Sequence, residues 1–332
     1  MMLARVRRTL GERGLLLGGE RVLVAISGGP DSAALLHVLS RLAPELRLTL
    51  YAASVDHGLR ASSIDDLAVA RRLAEALHVP FAPLAVSVPE GASRQAKARE
   101  ARYAILQEHA RAIGADRIAV GHTVEDQAET VLLRLARGAS LIGLRGIAPQ
   151  RDDGVIRPLI DCRRADVRAH VDRFELPTIE DPSNADPRYA RVRVRTRLLP
   201  ELEREQPSIA VYLASIADEA RGVAEWVERE VERLPLALGS ASLPRAVWID
   251  APAPVRRAAI ARWLRALTGR RPKTAHLDAA LRLRGEGEVL MGEGWVLRID
   301  GDRLVARREP DRAEGRSARA RPEGSSHSGN TE

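Results

Sequence analysis

A single cysteine, Cys162, stands in a chain of 332 residues. That excludes an internal disulfide framework, a cysteine-rich zinc site and any intramolecular cysteine pair for sulfur relay or cluster ligation, and leaves a free core thiol as the expectation. Aromatic residues are only 3% of the chain, too few for the stacking platforms on which single-strand binders lay out bases. No run approaches the roughly 18 apolar residues that a membrane span needs. Lysine is almost absent. Of 52 basic residues only Lys97 and Lys273 are lysines, and the rest are arginines, whose planar forks suit phosphate. Against 45 acidic residues the balance is +7, compatible with a polyanionic partner but not requiring one. The first 22 residues place basic side chains ahead of a short apolar stretch, yet Gly, Glu and Arg interrupt it and no small-residue cleavage site follows. The segment reads as an amphipathic helix, and the expected location is the cytoplasm.

What is present is ordinary globular usage, 45% hydrophobic and 29% charged, over a length that suits two domains. Short apolar runs at Arg21–Ile26, Leu48–Val55, Phe81–Val88 and Arg117–Val120 are expected to be buried parallel strands. Helical spacing fills the intervals at 32–42, 64–77, 93–113 and 125–137, the third opened by Ser93 as N-cap. This alternation is the signature of an α/β fold with a doubly wound, mostly parallel sheet, whose ligands sit outside the carboxyl ends of the strands. A further helix is expected over 163–174, a loop over 176–187, an arginine-dense stretch over 188–197 and a long amphipathic helix over 208–233. Beyond Pro235, helices near 255–267 and 275–283 and strands near 294–299 and 303–306 indicate a smaller α+β domain. The expected division is a first domain over 1–205, a connecting helix over 206–235, a second domain over 236–309 and a disordered tail over 310–332.

The strongest motif is Ser27-Gly28-Gly29-Pro30-Asp31-Ser32, between the first expected strand and the first long helix. Two glycines let the backbone approach a ligand, the loop amides form an anion-binding concavity, and the helix adds its positive end. Ser27 and Ser32 add hydroxyls. The spacing matches neither G-x-x-x-x-G-K-[ST] nor G-x-G-x-x-G. Later strand ends carry Val55-Asp56-His57-Gly58-Leu59-Arg60 and the run Gly121-His122-Thr123-Val124-Glu125-Asp126-Gln127-Ala128-Glu129-Thr130. On a helix His122, Asp126 and Glu129 share one side. Carboxylates beside a triphosphate suit Mg²⁺, with Asp31 another candidate, although acids at a helix start also complement its dipole. Arg99 and Arg102 lie one turn apart and can both reach phosphate, or lie on a solvated face. Arg191, Arg193, Arg195 and Arg197 alternate with other residues, so a strand would gather them on one face and a helix would spread them. Contact with an RNA backbone is the functional reading of this run, and a solvated charge run the plain one.

The hexapeptide resembles the pyrophosphate-loop ATPases, whose signature is SGGxDS and whose members cleave ATP between the α and β phosphates, leaving AMP on a substrate oxygen. The two later strand-end motifs, with Arg99-Glu100-Ala101-Arg102-Tyr103, Gly143-Leu144-Arg145-Gly146-Ile147, Arg157-Pro158-Leu159 and Glu180-Asp181-Pro182-Ser183-Asn184, narrow the resemblance over roughly residues 20–200 to the tRNA(Ile)-lysidine synthetase family. The resemblance implies ATP and Mg²⁺ as cofactors, with a CAU-anticodon tRNA(Ile) and free lysine as partners. It implies no membrane association, and a homodimer is a candidate assembly. It assigns ATP binding to Ala25, Ser27, Gly28, Gly29, Pro30, Asp31, Ser32, His57, Gly121 and His122. Metal binding falls to Asp31, Asp126 and Glu129, and catalysis to Asp31, Asp126, Arg99 and Arg102. Contact with tRNA falls to Arg191, Arg193, Arg195 and Arg197, and the smaller domain resembles the family's recognition domain. The chain is short for the additional terminal domain of longer members. Two positions depart from the pattern: Glu125 stands where the family commonly has Asp, and Val192 follows Arg191 where it typically has Asn. Adenylation needs no protein nucleophile, so His37, His78 and His109 are expected to be surface or packing residues. The alternatives are a tRNA thiolase of the same superfamily, against which the cysteine count weighs, and a non-catalytic ATP- or RNA-binding protein.

Overall fold

Every residue from Val22 to Ile26 is buried, which places the first strand, β1 (Arg21–Ala25), inside a sheet covered on both faces. The computed structural model describes residues 2–56, 63–86, 94–179, 186–283 and 287–309. Along β1 the side chains alternate between two cores. Val22 and Val24 join Leu35, Leu39, Leu42 and Val167 on one face, while Leu23 and Ala25 join Leu106 and Ile118 on the other.

Around this strand the chain lays down α1 (Met2–Glu12), α2 (Pro30–Leu46), β2 (Thr49–Asp56), α3 (Ser63–Ala76), β3 (Phe81–Ala85), α4 (Arg94–Ala112), β4 (Arg117–Ala119), α5 (Val124–Leu135), β5 (Val155–Ile156) and α6 (Arg164–Arg173). The five strands are parallel in the order β3-β2-β1-β4-β5. The chain builds outward from β1 through β2 and β3, then returns to the opposite side of β1 for β4. The loops leaving β1 and β4 therefore diverge at the topological switch point, where open α/β sheets bind their ligands.

Of the third expected strand, Phe81–Ala85 is extended and residues 87 and 88 lie outside the described residues, and β5 is too short to leave a periodic signal. The arginine-dense stretch is helical. It runs through α7 (Ala190–Arg193), a wider-turned π segment (Val194–Leu198) and α8 (Leu199–Glu205), followed by α9 (Ile209–Glu232). The chain forms two compact units, Met1–Arg221 and Gly222–Glu332, which divide within α9. In the second unit β6 (Ser242–Pro244), β7 (Glu288–Gly292), β8 (Trp295–Asp300) and β9 (Arg303–Arg308) form an antiparallel sheet in the order β6-β9-β8-β7. Helices α10 (Ala253–Thr268) and α11 (Thr274–Arg282) pack on each other, and α11 packs on β7. Trp263, fully buried, donates its indole N–H to the Ser240 carbonyl at 2.8 Å. Strands β6 and β7 were not expected from the sequence. His57, Ser93, the segment 180–185 and the tail 310–332 lie outside the described residues. Among the described residues no helix is long and apolar enough to cross a membrane.

Candidate active site

The loop after β1 closes on itself before it can offer anything to a ligand. Ser32 is buried, its hydroxyl accepts the Ser27 amide at 3.0 Å and donates to the Gly29 carbonyl at 2.9 Å. This expected donor thus holds the loop's shape, while the Ser27 side chain is exposed. Gly28 has φ +77°, a left-handed conformation, and a Cβ there would come within 3.2 Å of the Asp66 carbonyl oxygen, so glycine is required. Pro30 opens α2 with a fixed φ and no lost amide bond. The loop leaving β4 abuts that first turn, because a Cβ on Gly121 would lie 3.0 Å from the carbonyl of Asp31. Ala25, expected at the nucleotide, instead buries its methyl group in the core.

Beyond Gly121, α5 begins with Thr123, whose amide donates to Asp126 Oδ2 at 2.8 Å. The helix then presents Asp126 and Glu129 to three arginines. Arg191 donates to Asp126 Oδ1 at 2.9 Å and to Glu129 Oε2 at 2.7 Å. Arg195 reaches Glu129 Oε1 at 2.7 Å, and Arg164 reaches the same oxygen at 3.2 Å. Residues 191 and 195 are one turn apart, which puts both on the inward face, while Arg193 and Arg197 are exposed. The four arginines therefore form no single basic face. The expected tRNA contacts Arg191 and Arg195 are turned into the acid cluster, because the segment is helical and not extended. Glu125, with its extra methylene, accepts the Arg164 amide at 2.8 Å and so caps α6.

Burial, reinforced by Asp126, pushes the Asp31 carboxyl up to about 6, against the pull of Arg164 and Arg195. At Asp126 burial also acts upward, but the neighbouring His122, Arg191, Arg164 and the Thr123 amide outweigh it and hold the group low. Burial, with Arg157, Arg99 and Arg191 in the vicinity, drives His122 down to about 3 despite Asp126, so its imidazole is neutral.

A second, purely cationic group borders His122. Arg99 lies over the Tyr103 ring at 5.3 Å, as does Arg151 at 4.8 Å. Arg102 is half-buried, and burial lowers its pKa. Among the described residues neither Arg99 nor Arg102 has an ion-pair partner. Arg157, 2% exposed, donates to the Ala148 carbonyl and, at 3.3 Å, to His122 Nδ1.

A hard cation asks for carboxylate oxygens that are not already engaged. Asp31 fits, because its Oδ1 is buried and accepts no hydrogen bond among the described residues. Glu129, expected as a metal ligand, does not fit: it is 0% exposed and both its oxygens are taken by guanidinium groups. Among the described residues no three Asp, Glu, His or Cys side chains form a protein-only metal cage.

The roles of Arg157, Arg164 and Gln127 leave no signal in the sequence beyond the Arg157-Pro158-Leu159 motif itself. Gln127 clamps Ile147, accepting its amide at 2.6 Å and donating to its carbonyl at 2.7 Å. Cys162 is fully buried and burial pushes its thiol up to about 12, an inert core group. His37 and His170 share a buried hydrogen bond of 2.9 Å beside Phe174, a packing role.

Residues 3–202 match a family model described as a PP-loop domain, so fold and loop together define a PP-loop ATP-binding protein. The tRNA(Ile)-lysidine synthase of Synechococcus sp. is 33% identical over 285 residues, 84% of this chain and 87% of its own. That of Thermobifida fusca is 40% identical over 254 residues, covering 73% of this chain and 77% of its own. The chain belongs to the tRNA(Ile)-lysidine synthase family. It spans about half the length of several other curated relatives it matches, among them the Symbiobacterium thermophilum synthase, 40% identical over 256 residues. Among solved structures, the U34-tRNA thiolase NcsA from Methanococcus maripaludis has a TM-score of 0.57 at 20% identity, over 68% of this chain and 78% of that one, a likeness of fold.

Proposed function

We propose that this chain joins free lysine to C2 of the wobble cytidine in a CAU-anticodon tRNA(Ile), at the cost of ATP cleaved to AMP and diphosphate. The cytidine C2 oxygen attacks the α-phosphorus and diphosphate departs. The lysine amine then adds at C2, the C2–O bond breaks, AMP leaves with that oxygen, and the amine's surplus proton passes to solvent.

The observation that carries this reading is the placing of two unlike charge clusters at one switch point. Asp31 feels Asp126, Arg164 and Arg195, and His122 feels Arg99, Arg157 and Arg191. Loop amides, the α2 N-terminus and Arg99 and Arg102, without an ion-pair partner among the described residues, would stabilise negative charge growing on diphosphate. Asp126 would orient the lysine ammonium, and Glu129, fully buried, would hold Arg164, Arg191 and Arg195 in place. Asp126, held low, serves there as a fixed charge and not as a base. Mg²⁺ held by Asp31 would neutralise phosphate charge. Arg193 and Arg197, exposed, remain available to the RNA backbone.

The test combines the protein with ATP, Mg²⁺, labelled lysine and a CAU-anticodon tRNA(Ile) transcript, and follows AMP and label on the RNA, with Asp31→Ala as control. Label that needs ATP and Asp31 is the expected result. AMP release without lysine incorporation would point to another nucleophile, and ATP binding with neither signal to a non-catalytic protein.

A further inference from the structure

Arg157 is a buried guanidinium with no carboxylate partner among the described residues, an arrangement that needs a reason because burying an unneutralised charge is costly. Its position is fixed on several sides. Its amide donates to the Pro149 carbonyl at 2.9 Å, its carbonyl accepts the Ile160 amide at 3.1 Å, and its side chain donates to the Ala148 carbonyl. The remaining direction is filled by Nε–H pointing at His122 Nδ1, 3.3 Å away. A guanidinium only donates and does not lose its proton in proteins, so the nitrogen it faces must offer a lone pair.

We propose that Arg157 is a positioning residue that fixes His122 as the neutral imidazole carrying its proton on Nε2. With Nδ1 engaged, His122 is neither a general base through that atom nor an imidazolium. It presents a single N–H donor beside the loop of Gly121, which touches the first turn of α2. The charged neighbours of His122, namely Arg99, Arg157, Arg191 and Asp126, fix the sign of the local field, while Arg157 alone contacts the ring by a hydrogen bond among the described residues. On the functional reading above, on which this role rests, the donor serves the phosphate or the developing charge on the nucleotide. The proton cannot shuttle.

The test is the tautomer itself, read from long-range nitrogen–proton correlations in the full chain labelled with ¹⁵N-histidine, the His122 signal being the one lost in His122→Asn. Wild type is expected to show Nε2–H and unprotonated Nδ1 at pH 7. Arg157→Met is expected to give a mixture of tautomers, and Arg157→Lys, which keeps a donor and a charge, to restore Nε2–H. In the lysidine assay kcat/KM for ATP should fall on the order of tenfold to a hundredfold in Arg157→Met and recover largely in Arg157→Lys. A wild-type His122 protonated on Nδ1, or on both nitrogens, overturns the assignment without any variant. An unchanged tautomer in folded Arg157→Met overturns the role of Arg157. The expected tautomers in a wild-type protein that makes no lysidine overturn the functional reading alone.

Discussion

At Asp31, burial and a neighbouring carboxylate both work against ionisation, so the folded protein holds this acid above its unfolded pKa. A raised acid favours folding only while protonated. Its contribution is complete below about pH 4 and is lost as pH rises through about 6. Asp31→Asn should therefore stabilise the protein at pH 7, on the order of 1–3 kcal/mol, and the gain should vanish toward pH 4. Thermal melts across that range check it, and the same variant should be inactive in the lysidine assay. Glu129 is a matter of pairing. Removing its charge leaves Arg164, Arg191 and Arg195 short of a shared partner, and Glu129→Gln should cost about 3–5 kcal/mol in urea unfolding. These two acids separate what local sequence discloses from what it does not. Asp31 was legible because its loop, strand and helix adjoin in the chain. The partners of Glu129 come from residues 35, 62 and 66 positions away, a distance no periodicity spans.

The central strand β1 was legible because it is buried on both faces and reads as one short apolar run, whereas the edge strand β3 is only partly buried and β5 spans two residues. The helical state of 188–197 was not, since arginines at alternate positions fit either geometry and tertiary pairing decides. Nor was the use of Gly146 and Gln127. Helix α5 grips the segment 145–147 through Gln127, and α9 reaches it through Arg221, which donates to the Arg145 and Ile147 carbonyls, both at 2.9 Å. Gly146 sits between them with φ +54°, and a Cβ there would lie 2.2 Å from Gln127 Oε1 and 2.9 Å from Ala217 Cβ. Gly146→Ala should destabilise the protein by about 1–3 kcal/mol, through strain and loss of the clamp, and a lowered urea midpoint with unchanged slope checks it.

Over the whole molecule, arginine in place of lysine and a charge of +7 place an electrostatic term on any RNA complex. Affinity for tRNA should fall linearly in log–log terms as salt rises, and Arg193→Ala or Arg197→Ala should lower that slope by up to about one each. Variants at Arg191 or Arg195, whose guanidiniums face carboxylates, should leave the slope nearly unchanged. Filter binding at several salt concentrations distinguishes the two pairs. The composition announced a basic surface but not which arginines are spent internally, because that depends on which acids the fold brings within reach.

Arg164, Arg191 and Arg195 take up the charge of Asp126 and Glu129, and Asp31, ionised above about pH 6, draws on what remains. An ammonium ion arriving alone therefore finds no spare negative charge there, whereas the polyanionic tail of a nucleotide supplies it. Order of addition follows: the nucleotide should enter first, and lysine should bind measurably only once ATP or its non-hydrolysable analogue is in place, which calorimetry with and without the analogue can establish. On the proposed reaction, such a site would keep free amino acid from occupying it idly, and the concentration of ATP would gate the entry of the amine.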